Sequence, residues 1–356
     1  MYTIRDIARL AGVSVATVSG VLNNKPTVKA ALVERVKKAM DALDYHPDQV
    51  ARSLRVRRTC TLGMVVADVT NPFFAEVIRG VEREAQSNGY SVILCDSNED
   101  PALERHCLSM LFSRRVDGVL LAPASAPSGD ESRVHKRFPM VLIDRVPLGF
   151  TGDAVMTDNF SAAYAGTRHL LELGHRQIAI ITGQLNLSNG LDRLEGFRKA
   201  LQEEHLALPD KYLQQGNFQL ESGHRCGLEL MRLPVPPTAI FSCNNKMTLG
   251  LMRALGELHL ECPEVVSVLG FDDFEWSAYF TPRLTTIAQP TYEMGRQATQ
   301  ILLRKLKAPA ENHGVVSEEP GIIVKLKAEL RIRDSTAVPG SLRNVHKENA
   351  PVAISQ

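Results

Sequence analysis

From Thr61 onward, short apolar runs alternate with amphipathic stretches of helical length, and no other feature restricts the fold as sharply. Thr61 to Val66, Ser91 to Cys95, Gly118 to Ala122 and Val141 to Ile143 read as buried strands, with helices near Phe74 to Asn88 and Pro101 to Arg114 between the first three. The pattern then repeats. Gln177 to Thr182, Tyr212 to Gly216, Ala239 to Ser242 and Val265 to Leu269 read as strands, separated by helices near Leu191 to Glu204, Ser222 to Arg232 and Lys246 to Leu258. Alternation of this kind predicts parallel, doubly wound sheets. With a return to the first half through Thr285 to Lys307, it predicts a bilobed α/β body over residues 59–335, with a cleft at the carboxyl ends of the strands.

The residues before that body are of a different kind. Residues 1–58 hold 11 Lys and Arg against 5 Asp and Glu, so a basic head precedes an acidic remainder although the whole chain carries a net charge of only +1. A cationic module of this size suits a polyanion, although a solvated helical surface would look the same by charge alone. Periodicity supplies what charge does not. Thr3 with Asp6 makes a capping-box-like start for a helix bearing Ile4, Ile7, Ala8, Leu10 and Ala11, and Gly12 stops it. Ser14 caps a second helix whose Val18, Val21 and Leu22 share a buried face, while Val15, Ala16, Thr17, Ser19 and Gly20 point elsewhere. After the loop Asn23-Asn24-Lys25-Pro26, Leu32, Val36, Met40 and Leu43 fall at helical spacing. Two short helices around a Gly turn, backed by a third, predict an all-α helix-turn-helix head over residues 1–46.

Thr-Ile-Arg-Asp-Ile-Ala-Arg-Leu-Ala-Gly-Val-Ser-Val-Ala-Thr-Val-Ser, followed by Val-Leu-Asn and by Tyr45-His46-Pro47, resembles the head of the LacI/GalR family of bacterial transcription regulators. The resemblance implies that the second helix enters the major groove, with Val15, Ala16 and Gly20 at the positions that choose the operator. Val15 and Ala16 offer only apolar contact, which suits thymine methyls, and Gly20 departs from the family's habit of a side chain able to reach a base. Much of the sequence choice is therefore expected from positioning contacts and DNA shape. The DNA-facing set expected in the head is Thr3, Ser14, Val15, Ala16, Thr17, Ser19, Gly20 and Asn23, with Thr17, Ser19 and Asn23 able to donate to phosphates.

Residues 47–58 join head to body. Pro47 fits a first helical turn, and Val50, Ala51 and Leu54 share a face, yet helices under about 12 residues are marginal alone in water. The resemblance implies a hinge helix that forms on DNA and pairs with its twin in a homodimer, with Leu54 wedged into the minor groove and Arg52 and Arg55 contacting phosphate or groove. The plain alternative is a linker.

The resemblance continues through Asp68-Val-Thr-Asn-Pro-Phe-Phe, Arg115-Val-Asp-Gly-Val, Leu173-Gly-His-Arg, Arg193-Leu-Glu-Gly-Phe, Gly270-Phe-Asp-Asp and Pro282-Arg-Leu-Thr-Thr-Ile, where the body is similar to periplasmic sugar-binding proteins. Matched positions imply an effector set of Asn71, Phe73, Asp144, Arg193, Phe218, Asn244 and Asp272. An aromatic face stacks on a ring, carboxylates and amides take hydroxyls, and Arg193 offers a forked donor for vicinal hydroxyls or a carboxylate. A sugar or sugar acid is favoured over a purine as effector. Asn245 stands where many relatives carry Asp, and Trp276 is open to a cleft, dimer or core role.

The expectation is a repressor whose affinity for a pseudo-palindromic double-stranded operator is switched by a small ligand. A solute-binding protein of a transport system and a purine-responsive regulator of the same family are the alternatives. No P-loop, Gly-x-Ser-x-Gly, dinucleotide fingerprint or metal-ligand run is present, so neither catalytic residues nor cofactor nor metal are expected. His175 in Leu-Gly-His-Arg is implied to be a landmark of the fold rather than an acid or base. The six scattered cysteines suggest reduced thiols, and the absence of a signal-like apolar start or a membrane-length run suggests a cytoplasmic protein. Residues 336–356, polar and broken by Pro339, Gly340 and Pro351 without leucine heptads, are expected to be a disordered tail, leaving a dimer as the default assembly.

Overall fold

The computed structural model describes residues 2–22, 26–45, 58–124, 139–307 and 321–340. The chain divides into two compact units, Met1–Thr59 and Cys60–Gln356.

In the first unit α1 (Ile4–Ala11), α2 (Val15–Leu22) and α3 (Ala30–Ala42) follow the expected order. The Thr3 backbone N–H and hydroxyl both donate to the Asp6 carboxylate, at 2.9 and 2.7 Å. Gly12 closes α1 at φ 62°, a left-handed conformation that glycine adopts without a Cβ penalty. The Ser14 hydroxyl oxygen accepts from the Thr17 N–H at 3.1 Å and so starts α2. Ile7, Val18 and Val36, one from each helix, are fully buried and form the centre of a small core.

Arg35 of α3 fastens the turn between α1 and α2, because its Nη2 donates to the carbonyls of Ala11 (2.6 Å) and Gly12 (3.1 Å). These are carbonyls that the end of a helix leaves without intrahelical partners. Arg35→Met is expected to cost the head roughly 1–3 kcal/mol, since hydrogen bonds from a charged donor fall in that range. A core this small has little stability to lose. Operator binding at 37 °C should fall while any ligand-induced thermal shift of the body is kept.

The body holds two six-stranded sheets. The first comprises β1 (Thr61–Val66), β2 (Ser91–Asp96), β3 (Gly118–Leu121), β4 (Met140–Asp144), β5 (Ala154–Thr157) and β11 (Ile323–Leu326), in the order β11-β5-β4-β3-β1-β2. All its pairings are parallel. The second comprises β6 (Ile178–Thr182), β7 (Leu213–Gln215), β8 (Ala239–Ser242), β9 (Ser267–Phe271), β10 (Thr285–Ala288) and β12 (Glu329–Arg331), in the order β12-β10-β9-β8-β6-β7. Here the edge strand β12 runs antiparallel to β10, so the second sheet is mostly rather than wholly parallel.

Each sheet is covered by helices whose apolar faces complete a separate core. The helix Asn159–Glu172 carries the chain from β5 into the second lobe, where Ala162, Ala163, Leu170 and Leu171 pack. The helix Thr291–Lys307 carries it back, placing Met294, Ala298 and Leu302 in the first lobe's core. The chain crosses a third time between β11 and β12. With three connections, the lobes can pivot about one short region without separating.

The ordered body does not stop at residue 335. Ser335 donates from its hydroxyl to the Val268 carbonyl at 2.7 Å, Thr336 is buried, and the Ala337 N–H donates to Ser267 Oγ at 3.0 Å. His175, itself buried, sits 2.9 Å from the Ala337 carbonyl through Nε2 and 2.9 Å from Thr238 Oγ1 through Nδ1, as a landmark of the fold would. The expectation of a disordered tail thus starts too early for residues 336–340, because polar side chains pair there with buried backbone. The rest of that tail lies outside the described residues, as do Asn23 and most of the expected hinge, with Arg52, Leu54 and Arg55.

All six cysteines are free thiols. Burial pushes Cys243 and Cys262 up to about 12, so both stay protonated in the interior. Among the described residues no helix is long and apolar enough to cross a membrane, and no cluster of His, Cys, Asp and Glu could hold a metal ion.

Candidate functional site

All seven residues implied for the effector line one cleft between the lobes. Asn71 caps the helix Pro72–Ser87, its Oδ1 accepting from the Phe73 N–H at 3.0 Å, which places Phe73 and Phe74 at the cleft's first wall. Asp144 ends β4. Across the gap, Asn244 caps the helix Asn245–Glu257 by accepting from the Met247 N–H at 2.9 Å, and its amide donates to the Phe218 carbonyl at 2.9 Å. Asp272 follows β9, and Arg193 projects from the helix Ser188–Glu203.

Asp144, Phe218 and Asp272 have φ of 70°, 65° and 76°. Left-handed conformations are uncommon for non-glycine residues and cost on the order of 1–3 kcal/mol each. Three of them around one cleft indicate backbone held in place to aim particular side chains.

The polar groups form one connected set. Arg193 is 2% exposed, with its guanidinium 3.6 Å from the Phe271 ring centroid. Its Nε donates to Asn159 Oδ1 at 2.8 Å and its Nη1 to the Cys243 carbonyl. The forked donor expected of Arg193 is therefore partly spent on protein, because a buried guanidinium must satisfy its own N–H groups. Burial pushes the Asp144 and Asp272 carboxyls up, opposed in both by the charge of Arg193. Asp272 is held further by the Gln289 amide and, at 3.3 Å, by the Asn245 N–H.

Five lining residues were not among those implied by the resemblance: Phe74, Glu99, Arg145, Asn189 and Gln289. Four of them follow from a neighbour. Arg145 succeeds Asp144 in the chain, Asn189 lies four residues before Arg193 on the same helical face, and Gln289 follows the carboxyl end of β10. Only Glu99 carries no such mark, since Ser97-Asn98-Glu99-Asp100 reads as a solvated loop.

The cleft's edge is tied across the lobes. Lys246 Nζ is 2.5 Å from the Asp68 carboxylate and 3.2 Å from Thr70 Oγ1, and Gln219 donates to Asp68 at 3.4 Å. Asn245 donates from its side-chain amide to Asn71 Oδ1. An Asp at position 245 has no N–H to give there, so the departure noted in the sequence adds a bridge. Trp276 does not line the cleft. It stacks on Phe274 (4.8 Å between centroids) and meets Phe280 edge-on at 5.3 Å, which settles it in a half-buried aromatic cluster of its own.

In the head, Thr3, Ser14, Val15 and Ala16 are exposed, and Thr17 and Ser19 are half-buried on α2. Gly20 is not on that face. It is buried, and a Cβ built there would stand 2.9 Å from Val28 Cγ2, so the close approach of the residue 26–29 segment accounts for glycine and corrects its expected outward direction.

A helix-turn-helix head followed by a two-lobed body with a polar interlobe cleft defines a DNA-binding regulator with a ligand-binding body. Residues 3–48 match the model for bacterial regulatory proteins of the lacI family, and residues 167–336 that for a periplasmic binding protein-like domain. The chain is 36% identical over 327 residues to the HTH-type transcriptional repressor PurR of Histophilus somni (strain 2336), covering 91% of this chain and 98% of that one. It is 37% identical over 311 residues to the ribose operon repressor of Escherichia coli (strain K12), covering 87% of this chain and 94% of that one. The lac repressor dimer bound to operator and the anti-inducer ONPF superposes with a TM-score of 0.81 at 27% identity, over 94% of this chain and 99% of that one. The chain belongs to the LacI family of bacterial transcription regulators.

Proposed function

We propose that the protein is a cytoplasmic homodimeric repressor whose affinity for a pseudo-palindromic operator is set by a small sugar held between its lobes. The observation that carries the effector class is the cleft's set of polar groups. Two buried carboxylates from opposite lobes, Asp144 and Asp272, stand with Arg193, Asn244 and Gln289 among Phe73 and Phe218. Such a set suits a small ring that bears hydroxyls on every edge and apolar hydrogens on its faces. A purine, the reading favoured by the likeness to PurR, concentrates its polar atoms in one plane and gives two buried carboxylates less to bind.

On DNA, Val15 and Ala16 contact base edges, and Thr3, Ser14, Thr17, Ser19 and Asn23 position the head on phosphates. Gly20, with no side chain and Val28 against it, contributes backbone alone. Ligand binding shifts the balance between lobe arrangements, and only one arrangement in the dimer lets two copies of residues 47–58 pair as helices over the minor groove. Leu54 then wedges, and Arg52 and Arg55 hold the flanks. Thermal-shift measurement on the full chain with D-ribose, D-glucose, D-galactose, hypoxanthine and guanine tests the effector class. A sugar should raise the melting temperature by mass action, and a rise with a nucleobase alone reverses the assignment.

A further inference from the structure

The charged residues of the cleft do not balance in favour of an anion. Among the described residues that line it, Glu99, Asp144 and Asp272 are the carboxyls and Arg145 and Arg193 the cations. At the edge Lys246 is matched by Asp68. Both guanidiniums are also partly committed. Arg193 serves Asn159 and the Cys243 carbonyl, and Arg145 Nη2 donates to Glu99 Oε2 at 2.7 Å. A ligand carboxylate or phosphate entering here would meet more carboxyls than cations among the described lining residues, at a largely buried site.

One donor is nevertheless left over. Arg145 is 2% exposed and its Nε is the one buried side-chain polar atom without a hydrogen-bond partner among the described residues. Asp144 Oδ2 is 4.0 Å from it, too far for a hydrogen bond. A buried orphan donor costs free energy until something accepts from it, and in a ligand cleft that acceptor is a ligand oxygen. The Phe218 ring lies 5.4 Å from the same guanidinium. Glu99 holds the other end of Arg145 and, through its charge, sets what kind of oxygen is tolerated.

We infer that the cleft selects uncharged sugars, with a hydroxyl or ring oxygen accepting from Arg145 Nε, and that Glu99 is the specificity residue that excludes sugar acids. The inference rests on the sugar reading above and narrows it. Burial already raises the Glu99 carboxyl against the pull of Arg145, and a second anion beside it would have to be accommodated at further cost.

The test is calorimetric titration of the full chain and of Glu99→Gln with three matched pairs: D-ribose and D-ribonate, D-glucose and D-gluconate, D-galactose and D-galactonate. In the wild type, the neutral member of at least one pair should bind and its acid should bind roughly tenfold or more weakly. Glu99→Gln should narrow that gap by about the same factor, because the amide keeps the shape and an acceptor for Arg145 while removing the charge. The melting temperature of unliganded Glu99→Gln, measured beside the wild type, shows that the variant is folded. An acid that binds the wild type as well as its neutral partner, or a gap that persists in folded Glu99→Gln, overturns the charge selection and leaves the sugar reading standing. No binding by any member, with a nucleobase binding instead, overturns the sugar reading and this inference together.

Discussion

Arg193→Ala is expected to abolish the effect of the effector on operator binding while the unliganded protein still binds DNA. The side chain is buried in the cleft and stacked on Phe271, and its positive charge is felt by Asp272 and, after that of Arg145, by Asp144. Removing one partner of a buried charge network leaves the others uncompensated, typically at about 3–5 kcal/mol. Converted to affinity, a loss of that size is at least a hundredfold. Part of it will appear as reduced stability of the second lobe, so the assay must pair ligand titration with unliganded melting temperature and operator affinity. Loss of ligand response with operator affinity within a few-fold of the wild type is the expected pattern, and equal loss of both would mark a folding defect.

Leu54→Ala should lower operator affinity and DNA bending together. The residue lies outside the described portion of the chain, so its role rests on the hinge pattern Val50, Ala51 and Leu54 and on the family resemblance. Inserting an apolar wedge costs a few kcal/mol of base unstacking, and the bent duplex then wraps more protein surface. Truncation to Ala forfeits the wedge, and operator affinity is expected to fall by roughly tenfold or more. The reduced bend should show in a circular-permutation gel or an energy-transfer measurement on labelled operator. Unchanged affinity and bend would reduce residues 47–58 to a linker.

The parts of the fold legible in the sequence were those whose pattern is long or bounded by caps. Thr61–Val66 and Ala239–Ser242 appear at the expected residues because each is a continuous apolar run closed by polar residues. The strand Ala154–Thr157 went unread, since four residues behind a Gly-rich turn carry little periodicity. The helix Asn159–Glu172 was hidden by its Ala, Gly and Thr residues, which pack closely yet contribute little apolar contrast. The edge strands Ile323–Leu326 and Glu329–Arg331 alternate between exposed and half-buried residues and depend on partners distant in the chain.

The site was legible by a different route. Family resemblance nominated Asn71, Phe73, Asp144, Arg193, Phe218, Asn244 and Asp272, and the fold brings them together at one cleft. It did not reach Glu99, because a carboxylate in a polar loop has no pattern to distinguish it until Arg145 is seen beside it. Gly20 shows the opposite limit. Helical periodicity set it on the outer face, but the segment carrying Val28 comes from beyond the helix and covers it.

Control of DNA binding by a small sugar in the interlobe cleft is the proposal on which the rest depends. The direct measurement is operator affinity of the full-length protein, by fluorescence anisotropy, at increasing concentrations of the sugar that raises its melting temperature. At least a tenfold change in affinity is expected, saturating at the concentrations that saturate the thermal shift and absent in Arg193→Ala. An operator affinity unmoved by a sugar shown to occupy the wild-type protein would contradict it.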